Sequence, residues 1–511
     1  MVSYKSLREI RWLMTMDALQ YSHGRGLFTD FYQLTMAQGF FELGMHYKVG
    51  TFNLFFRNNP FGGGYAIAAG IGPALDYVER LSFSGEDIDY LKEQGLFSDA
   101  FLDYLRGFRF SGSIQGMLEG TVVFPHEPIL QIEAPMIEAQ LIETGLLNIV
   151  NYSTLIATKT SRICIAARQS SVVDFGLRRA QGDGAYLGTR ASIVGGASGT
   201  SFVDAARLLE VPAIGTHAHS WVQVFPSELD AFRAYAKVFP SKCLLLVDTY
   251  NVLGSGVPNA ITVAKELKAV GKDLVGVRID SGDLAYLAVE TYRAFKNAGF
   301  PGITIVLSND LDETLIESIT RQIEAPLGAV TKAEIQLRRD VVAHLTYGVG
   351  TKLITGGEQA ALGGVYKLVA VDGEPCIKVS ENVTKTIDPG IKEVYRFMDK
   401  TAVAFLADVI ALRSEPKPVP GDRIHHPVEA GTKFTIDAGA TCEAILKPLF
   451  HEGRRVAGKD GTSIKMGKVR CKEQLARLHP TSQRLLNPQV YKVGLSNQLF
   501  SLKQELIARY T

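Results

Sequence analysis

The stretch Leu274-Val275-Gly276-Val277-Arg278-Ile279-Asp280-Ser281-Gly282-Asp283 combines an apolar run with a polar end. A short, nearly continuous apolar run is typical of a strand that is buried on both faces of a parallel sheet. The residues that follow, 284–298, have the spacing of an amphipathic helix. The stretch therefore predicts a strand followed by a helix, with Arg278 and Asp280 at the carboxyl end of the strand.

The same pattern recurs along the chain from about residue 170, at intervals of roughly 30 to 40 residues, which is typical of successive βα units in a parallel sheet or barrel. The predicted strands are 171–175, 213–219, 244–249, 274–280, 303–310 and 345–353. The predicted helices between them are 201–209, 228–238, 259–269, 284–298 and 312–323.

Polar and charged residues end these predicted strands. In β/α barrels the catalytic residues come from the carboxyl ends of the strands, which lie at one face of the barrel. A solvated surface alone would not place polar residues at the same end of consecutive strands. The residues at these ends are Asp174, His217, His219, Asp248, Arg278, Asp280, Asp283, Ser308 and Asn309. The sequence therefore predicts an active site at this edge of the sheet.

The rest of the chain has a different pattern, with a helical stretch at 30–43, strand-like runs at 112–123, 129–132, 365–371 and 377–379, and a charged helical tail. We therefore predict an α/β protein, an irregular parallel β/α barrel with an additional α+β domain built from the N-terminal and C-terminal parts. The predicted domains are an N-terminal extension that is a candidate for disorder (1–25), an N-terminal α+β domain (26–165), the catalytic barrel (166–360) and a C-terminal portion that packs back on the N-terminal domain (361–511).

Composition excludes several classes of function. The 54 basic and 53 acidic residues give a formal net charge of +1, so the whole chain has no field that would attract nucleic acid or an anionic membrane. No apolar run approaches the roughly 20 residues that span a bilayer, and the longest, 402–412, is predicted to be a core strand. The five cysteines are odd in number and lack CxxC spacing, which argues against a disulfide framework or a zinc site. We expect a cytoplasmic protein.

Residues 1–15 carry Lys5, Arg8 and Arg11 against a single acid, Glu9. This composition resembles an organelle transit peptide. It is equally expected if the start codon is assigned too early, because Met16 would serve as well. The sequence leaves both alternatives open.

Five ordered motifs resemble those of nicotinate phosphoribosyltransferases, and the resemblance runs from about residue 26 to the C-terminus. They are LFTDFYQLTM (27–36), DFGLRRA (174–180), GTHAHS (215–220), VRIDSGD (277–283) and GGVYKLV (363–369). The resemblance implies that phosphoribosyl passes from phosphoribosyl pyrophosphate to nicotinate, which gives nicotinate mononucleotide and pyrophosphate in NAD salvage. It further implies coupling to ATP hydrolysis, ligase-type by overall reaction, Mg²⁺ bound with ATP and the donor, and a homodimer with shared active sites.

The resemblance also assigns roles to single residues. His219, the last residue of GTHAH, resembles the transient phosphohistidine, which needs a neutral ring nitrogen to accept phosphate. Arg178 resembles the arginine that holds the phosphates of the donor, and Asp280 resembles the acid that contacts the ribose. The base is a flat, electron-poor ring, which favours an aromatic sandwich. By resemblance Phe175 supplies one face and Tyr32 of the partner subunit supplies the other.

Selectivity for the acid rather than the amide is expected at Ser201. The related nicotinamide enzyme has an acidic residue at the corresponding position, where a carboxylate would repel the carboxylate of nicotinate. Ser201, with Arg278 nearby, can instead donate to that carboxylate. One departure is Phe202, which stands where relatives are expected to have a small polar residue.

Further substrate contacts follow from the resemblance. Glycine-rich loops after the last barrel strand are expected to present backbone N–H groups to the 5′-phosphate of the product. The remaining candidate substrate-binding residues are Thr200, Ser220, Asp248, Asp283, Asn309, Gly348, Gly350, Thr351, Gly356 and Gly357. The residues that would ligate a metal are unknown from the sequence.

Other interpretations stay open. Asp283 also fits an N-cap, and His217 fits a structural role, because relatives often have an apolar residue at that position. The His-x-His pair, His217 and His219, also occurs in metal-dependent amidohydrolase barrels, although the later strands here lack the further histidines that such a site uses. A catalytically silent, nucleotide-binding relative is the remaining alternative.

Overall fold

The computed structural model describes residues 25–325, 331–380, 386–429, 431–456 and 458–510. The chain forms two compact units. The first unit contains the described residues up to Thr158, the segment Tyr186–Val194 and the described residues from Gln359 onward; the second contains Lys159–Ala185 and the described part of Gly195–Glu358. The predicted N-terminal extension lies outside the described residues, apart from Arg25.

The described helices and strands are numbered in chain order. The α-helices are α1 Phe31–Glu42, α2 Ile71–Arg80, α3 Gly85–Glu93, α4 Asp99–Arg106, α5 Met136–Leu141, α6 Glu143–Ala167, α7 Gly184–Val194, α8 Val203–Leu209, α9 His219–Gln223, α10 Glu228–Val238, α11 Val257–Ala269, α12 Leu284–Asn297, α13 Glu313–Glu324, α14 Lys332–Ala343, α15 Thr351–Ile354, α16 Lys459–Thr462, α17 Ile464–Arg477 and α18 Asn497–Tyr510. The strands are β1 Val49–Phe55, β2 Ala66–Ile67, β3 Ser113–Gly116, β4 Val122–Val123, β5 Leu130–Pro135, β6 Ser171–Asp174, β7 Gly199–Thr200, β8 Leu244–Leu246, β9 Gly276–Ile279, β10 Thr304–Leu307, β11 Leu345–Val349, β12 Val365–Val371, β13 Glu374–Pro375, β14 Lys392–Met398, β15 Phe405–Leu412, β16 Arg423–His425, β17 Lys433–Thr435, β18 Thr441–Ala444, β19 Lys447–His451, β20 Arg454–Arg455 and β21 Lys492–Leu495.

The second unit is built on a parallel sheet with the strand order β7-β6-β11-β10-β9-β8. Its strands are short and mostly buried; Leu245, Val277 and Ile305 are fully excluded from solvent. Because every neighbouring pair is parallel, all six carboxyl ends lie at one edge of the sheet. The predicted α/β class and irregular parallel β/α barrel are confirmed, with the barrel formed as an open, curled sheet.

Five of the six predicted strands form, but the prediction of a buried strand at 213–219 is wrong. Only Ala213 makes an isolated bridge, to Thr200, and His219 begins helix α9. The edge position is taken by β7, which is too short to show a periodic pattern. Pro212 is exposed and has no N–H to donate to a ladder. The two histidines therefore do not share one face of a strand.

The five predicted helices all form, as α8 and α10 to α13, with bounds within two residues of those predicted. Helix α10 matches its predicted bounds, and its N-cap Ser227 accepts a hydrogen bond from the Asp230 N–H. Several helices were not predicted, among them α6, α7 and α14. In α6 the apolar residues do not form a single clear stripe, because this long helix is buried along much of its length.

The first unit combines N-terminal and C-terminal segments in one sheet. Its strand order is β13-β12-β1-β5-β3-β19-β20, with β12 and β19 antiparallel to β1 and β3. A second sheet has the order β17-β16-β21-β15-β14-β18. The additional α+β domain built from both ends of the chain is therefore confirmed. The predicted strand at 377–379 is wrong, because the chain instead turns at Asp372 and Gly373, both with positive φ, to form the β12–β13 hairpin.

Candidate active site

A cavity of about 290 Å³ lies at the carboxyl edge of the parallel sheet in the second unit. It is lined by Phe175, Leu177, Arg178, Ser201, Gly215, Thr216 and Arg278. Four predicted site residues thus meet around one space. They come from loops after β6 and β7 and from β9 itself, so the parallel sheet brings them together although they are far apart in sequence.

Asp174 holds the backbone next to this cavity in place. Its carboxylate is fully buried; Oδ1 accepts from the Gly176 N–H (2.8 Å) and Oδ2 accepts from Thr200 Oγ1 (2.9 Å). Thr200 Oγ1 in turn accepts from the Phe202 N–H (3.0 Å). These hydrogen bonds hold the turn that carries Phe175. The hydroxyl of Thr200 is therefore hydrogen-bonded to other residues of the protein.

The ring of Phe175 lies against Gly348 and below the guanidinium of Arg278. A Cβ at position 348 would lie 2.3 Å from Phe175 Cε2, so only glycine leaves room for the ring there. The Arg278 Cζ is 5.5 Å from the ring centroid, within the range of a cation–π contact. Gly348 lies inside β11, and its contribution to the site is this space for Phe175.

Arg278 and Asp280 are joined by hydrogen bonds, and each side chain keeps a polar atom that has no hydrogen-bond partner among the described residues. Arg278 donates from Nε to Ser308 Oγ (2.8 Å) and from Nη2 to Asp280 Oδ1 (3.0 Å), and Ser308 Oγ donates to the same Oδ1. Within the described part of the chain, Arg278 Nη1 and Asp280 Oδ2 have no hydrogen-bond partner. An arginine and a carboxylate are thus preorganised, and each keeps polar atoms for a ligand.

Asp248 follows β8 and lies beside Asp280. Its Oδ2 accepts from the Asp280 N–H (2.9 Å) and from Ser281 Oγ (2.6 Å). Its Oδ1 is buried and accepts no hydrogen bond from the described residues. A buried carboxylate oxygen without a partner is costly, so this atom points to a ligand. Two acids with free oxygens fit Mg²⁺, which takes oxygen ligands and is commonly held by one or two carboxylates plus substrate phosphates.

His219 is the first residue of α9 and is half-buried. Its Nδ1 lies 3.2 Å from Thr249 Oγ1, and its Nε2 has no hydrogen bond to the residues described. Ser220 is the next residue and is exposed. One nitrogen of the imidazole is therefore oriented by the protein, and the other is available.

His217 fastens the loop before α9 to strand β8. Its Nε2 accepts from the Leu246 N–H (3.1 Å), and Thr216 Oγ1 donates to Leu244 O (2.6 Å). Side chains thus join this loop to β8 where a backbone ladder would close a regular barrel. An imidazole nitrogen that accepts a hydrogen bond must be unprotonated. Burial lowers the pKa of His217, and the hydrogen bond to the backbone of Ala218 offsets this only in part. These contacts fit the structural interpretation of His217.

This contact leads to a prediction for stability. His217→Ala leaves the Leu246 N–H unpaired, and we expect it to destabilise the protein by about 1–3 kcal/mol. His217→Gln keeps an acceptor near the Nε2 position and should cost less. Thermal and urea unfolding at pH 7.5 measure both, and equal losses in the two variants would show that the hydrogen bond is unimportant.

The same contact predicts a pH dependence. The pKa of His217 is lower in the folded chain than its ordinary value of about 6.5. The contribution of His217 to the free energy of unfolding is therefore complete above pH 6.5. Below it the unfolded chain binds a proton first, so stability falls as the pH decreases toward the folded pKa. We expect wild type to lose more stability between pH 7.5 and 5.5 than His217→Gln, which does not titrate; parallel curves would contradict this.

The Gly356–Gly357 turn follows α15 and lies near the side chain of Lys159. Both glycines have positive φ (75° and 63°), which favours glycine. A Cβ at position 357 would lie 3.5 Å from the Nζ of Lys159. Lys159 pairs with the buried Glu313 (2.6 Å). The sequence did not indicate Lys159, which lies in a polar stretch of α6 together with Arg162.

The neighbouring segment Gly350–Thr351 forms the start of the short helix α15. A Cβ at position 350 would lie 3.2 Å from Phe175 O, so glycine eases a close approach of the two backbones. Lys352 pairs with Asp312 (2.8 Å) and was also missed by the sequence reasoning.

Three further predicted site residues, like His219, Asp248 and Asp280, lie outside the lining of this cavity. Asp283 is exposed and caps α12 by accepting from the Tyr286 N–H (3.1 Å), as the N-cap interpretation expected. Asn309 is exposed after β10 with a φ of 111°, which is rare outside glycine and concentrated at functional sites. Tyr32 belongs to the first unit.

Tyr32 is half-exposed on α1. It lines a separate cavity of about 360 Å³ within the first unit, together with Asp30, Glu143 and Thr144. Burial raises the pKa of Tyr32, and the charges of Glu143 and Asp30 add to the effect. The phenol therefore stays neutral.

The described residues contain no group of three or more His, Cys, Asp or Glu side chains arranged to hold a metal ion. The His217 Nε2 is already occupied by the Leu246 N–H, so the two histidines do not form the metal-binding pair of an amidohydrolase. Within the same residues, none of the helices is long and apolar enough to cross a membrane.

Comparison with known proteins identifies the family of the chain. Models of the nicotinate phosphoribosyltransferase (NAPRTase) family match residues 27–151 (N-terminal domain), 170–412 (family) and 391–503 (C-terminal domain). Nicotinate phosphoribosyltransferase of Bacillus subtilis (strain 168) is 41% identical over 488 residues, which cover 94% of this chain and 95% of the relative. Nicotinate phosphoribosyltransferase 1 of Arabidopsis thaliana is 34% identical over 536 residues, which cover 93% and 92%. The crystal structure of human nicotinic acid phosphoribosyltransferase has a TM-score of 0.79 and 30% identity, and covers 94% of this chain and 99% of that chain. The chain belongs to the nicotinate phosphoribosyltransferase family.

Proposed function

We propose that this chain transfers phosphoribosyl from phosphoribosyl pyrophosphate to nicotinate, giving nicotinate mononucleotide and pyrophosphate in NAD salvage, and that ATP hydrolysis is coupled to the transfer through phosphorylation of His219. The observation that carries the proposal is the cavity in which Phe175, Arg178, Ser201 and Arg278 meet. Family membership gives the reaction, and this cavity offers an aromatic face and cationic donors for an anionic aromatic acid.

Nicotinate fits this cavity by its shape and charge. Its flat ring stacks on Phe175, and its carboxylate accepts from Arg278 and from the hydroxyl of Ser201. Arg278 is suited to this task, because Ser308 and Asp280 hold its Nε and Nη2 while Nη1 has no hydrogen-bond partner among the described residues. The guanidinium therefore needs little reorganisation on binding.

The sugar and its leaving group require opposite charges. Cleavage of the bond between C1 of the ribose and the pyrophosphate oxygen makes the ribose cationic and oxocarbenium-like. The Asp280 carboxylate stabilises that charge or accepts hydrogen bonds from the ribose hydroxyls. Arg178, exposed at the mouth of the cavity, binds the phosphates of the donor. Asp248 and Asp280 would hold Mg²⁺, which when bound neutralises charge on the pyrophosphate.

Further contacts complete the proposal. Asn309, Asp283 and Ser220 are proposed as additional substrate contacts, whereas Thr200, whose hydroxyl bonds to Asp174, is proposed to position the neighbouring Ser201. The turns at Gly350–Thr351 and Gly356–Gly357, with Lys159 next to the second turn, bind the 5′-phosphate. Tyr32 of the partner subunit covers the second face of the base in a homodimer. The half-exposed aromatic side chains of Phe31 and Tyr32 on α1 support such an interface.

The site of action in the cell is proposed to be the cytoplasm. All five cysteines are free thiols, which suits a reducing compartment. The domain division is proposed as predicted, with an N-terminal extension (1–25), an α+β domain (26–165), the barrel (166–360) and a C-terminal portion (361–511).

The function is tested by the formation of mononucleotide from radiolabelled nicotinic acid and phosphoribosyl pyrophosphate, with and without ATP and with and without Mg²⁺. We expect product that depends on the donor, rises with ATP and requires Mg²⁺. No product under any of these conditions would support a catalytically silent relative.

Ser201→Asp tests the selectivity for the acid. A carboxylate at this position repels the nicotinate carboxylate inside the cavity and competes for Arg278, so we expect kcat/KM for nicotinate to fall by about 10- to 100-fold, or about 1.4–2.8 kcal/mol. Ser201→Ala, which loses one neutral donor, should cost about tenfold or less. Unchanged nicotinate kinetics in Ser201→Asp would contradict the proposed position of the carboxylate.

A further inference from the structure

We propose that Thr249 is a positioning residue for His219: its hydroxyl oxygen accepts the proton on Nδ1, so that Nε2 is the nitrogen that takes the phosphoryl group. The inference rests on the proposed function, in which His219 is phosphorylated. It specifies which ring nitrogen of His219 reacts and which side chain determines that choice.

The geometry of the contact supports this assignment. Nδ1 of His219 lies 3.2 Å from Thr249 Oγ1, and Thr249 is half-buried just beyond the end of β8. A threonine side chain is β-branched and has few χ1 rotamers, so its hydroxyl oxygen is held in place better than that of a serine. Nε2 has no hydrogen bond to the described residues and remains open to a ligand.

The neighbouring carboxylate of Asp248 does not contact Nδ1, because its Oδ1 accepts no hydrogen bond from the described residues. Asp248 uses Oδ2 for the Asp280 N–H and for Ser281 Oγ. The group beside Nδ1 is therefore a neutral hydroxyl, although an acid stands one residue earlier.

The loop that carries His219 is also held against the strand that carries Thr249. Thr216 and His217 bond to the backbone of β8 at Leu244 and Leu246. The contact between His219 and Thr249 continues this series by a further side-chain bond. The imidazole and the hydroxyl thus approach each other from two segments that are already joined, which limits the loss of conformational freedom on forming the contact.

The hydroxyl can accept from Nδ1–H or donate to an unprotonated Nδ1. In the second case Nε2 carries the proton and has no lone pair for phosphorus. In the first case the Nε2 lone pair attacks the γ-phosphorus of ATP, the Nε2–P bond forms and the bond from phosphorus to the bridging oxygen breaks. ADP leaves with that oxygen and its electron pair, while Nδ1 keeps its proton bonded to Thr249. Transfer of the phosphoryl group to water restores the neutral ring.

The test compares Thr249→Val, which keeps the shape but removes the oxygen, with Thr249→Ser, which keeps the oxygen. We expect Thr249→Val to slow phosphoenzyme formation from γ-labelled ATP by about tenfold, the size of one lost neutral hydrogen bond, and Thr249→Ser to restore most of the rate. Tyr250→Phe, an exposed neighbour in the same loop, is the matched control and should react like wild type.

The isomer of phosphohistidine gives a readout that a merely structural role would not change. After alkaline digestion, wild type should yield phosphohistidine substituted at Nε2, and Thr249→Val should yield a mixture because both nitrogens are then unassigned. Wild type labelled at Nδ1, or Thr249→Val with the wild-type rate and the same single isomer, would overturn the inference while leaving the phosphohistidine in place. Absence of any phosphohistidine in wild type would overturn the coupling at His219 and this inference with it.

Discussion

His219→Ala should abolish the stimulation of mononucleotide formation by ATP and leave a slow transfer that still depends on phosphoribosyl pyrophosphate. The proposed phosphoryl acceptor is the Nε2 of this imidazole, and alanine has no atom that replaces it. The cavity with Phe175, Ser201 and Arg278 is untouched by the change, so binding of nicotinate and the glycosyl transfer itself remain. Radiolabelled nicotinic acid with and without ATP measures both effects.

The structure indicates that His219→Ala should change the activity with little effect on stability. His219 is half-buried, and its hydrogen bond among the described residues is the one to Thr249, so its removal should leave the melting temperature nearly unchanged. His217→Gln is the matched control, because it alters the other histidine of the motif and should keep the stimulation by ATP. Full ATP stimulation in His219→Ala would reject the assignment of the phosphohistidine.

Much of this site could be predicted because its residues occupy the ends of regular elements. Arg278 lies in an apolar run that reads as a buried strand, and Phe175 and Ser201 follow β6 and β7. Parallel strands bring their carboxyl ends together whatever the sequence distance between them. Polar residues at these ends therefore indicated the location of the cavity before any contact between them was known.

The wrong prediction of a strand at 213–219 also has a physical cause. The local sequence pattern of 213–219 is typical of a strand. Whether a segment at the edge of a sheet pairs also depends on the backbone hydrogen bonds that the neighbouring strand can make with it. Gly199 permits close approach, since a Cβ there would lie 2.6 Å from Pro212 O, and the contact stops after a single bridge. Side-chain bonds from Thr216 and His217 then replace the ladder. No periodicity in a sequence reports such bonds.

The residues that contact the site residues could not be predicted from the sequence either. Thr249 is close to His219 only because the loop before α9 lies along β8, and Lys159 is close to Gly357 only because α6 passes the end of α15. Neither residue belongs to a recognisable motif. Orientation of a reacting group depends on tertiary contacts, whereas a motif records the reacting group itself.

Arg396→Met should be among the most destabilising single changes in the first unit. Arg396 and Asp408 face each other on β14 and β15, and both side chains are fully excluded from solvent. Arg396 donates from Nε to Oδ1 (3.0 Å) and from Nη2 to Oδ2 (2.6 Å) of Asp408, and Nη2 also donates to Val122 O (2.8 Å). Removal of one partner from a buried pair typically costs about 3–5 kcal/mol. Urea and thermal unfolding measure the loss.

The loss should increase with pH. In Arg396→Met the Asp408 carboxylate must either stay charged without a counter-ion or bind a proton, and a proton is more readily bound at pH 5.5 than at pH 8. Glu127 adds no second negative charge beside Asp408, because burial, then the charge of Asp408, raise its pKa well above its usual range and keep it neutral.

The double variant Arg396→Met with Asp408→Leu separates charge from packing. Replacement of a buried ion pair by apolar residues of similar volume is often neutral, so at pH 8 the double variant should be more stable than Arg396→Met, and its stability should vary less with pH. Arg396→Met also loses the bond to Val122 O, which the double variant does not restore, so recovery will be partial. Equal losses for Arg396→Met at both pH values, with no recovery in the double variant, would show that shape rather than charge makes Arg396 necessary.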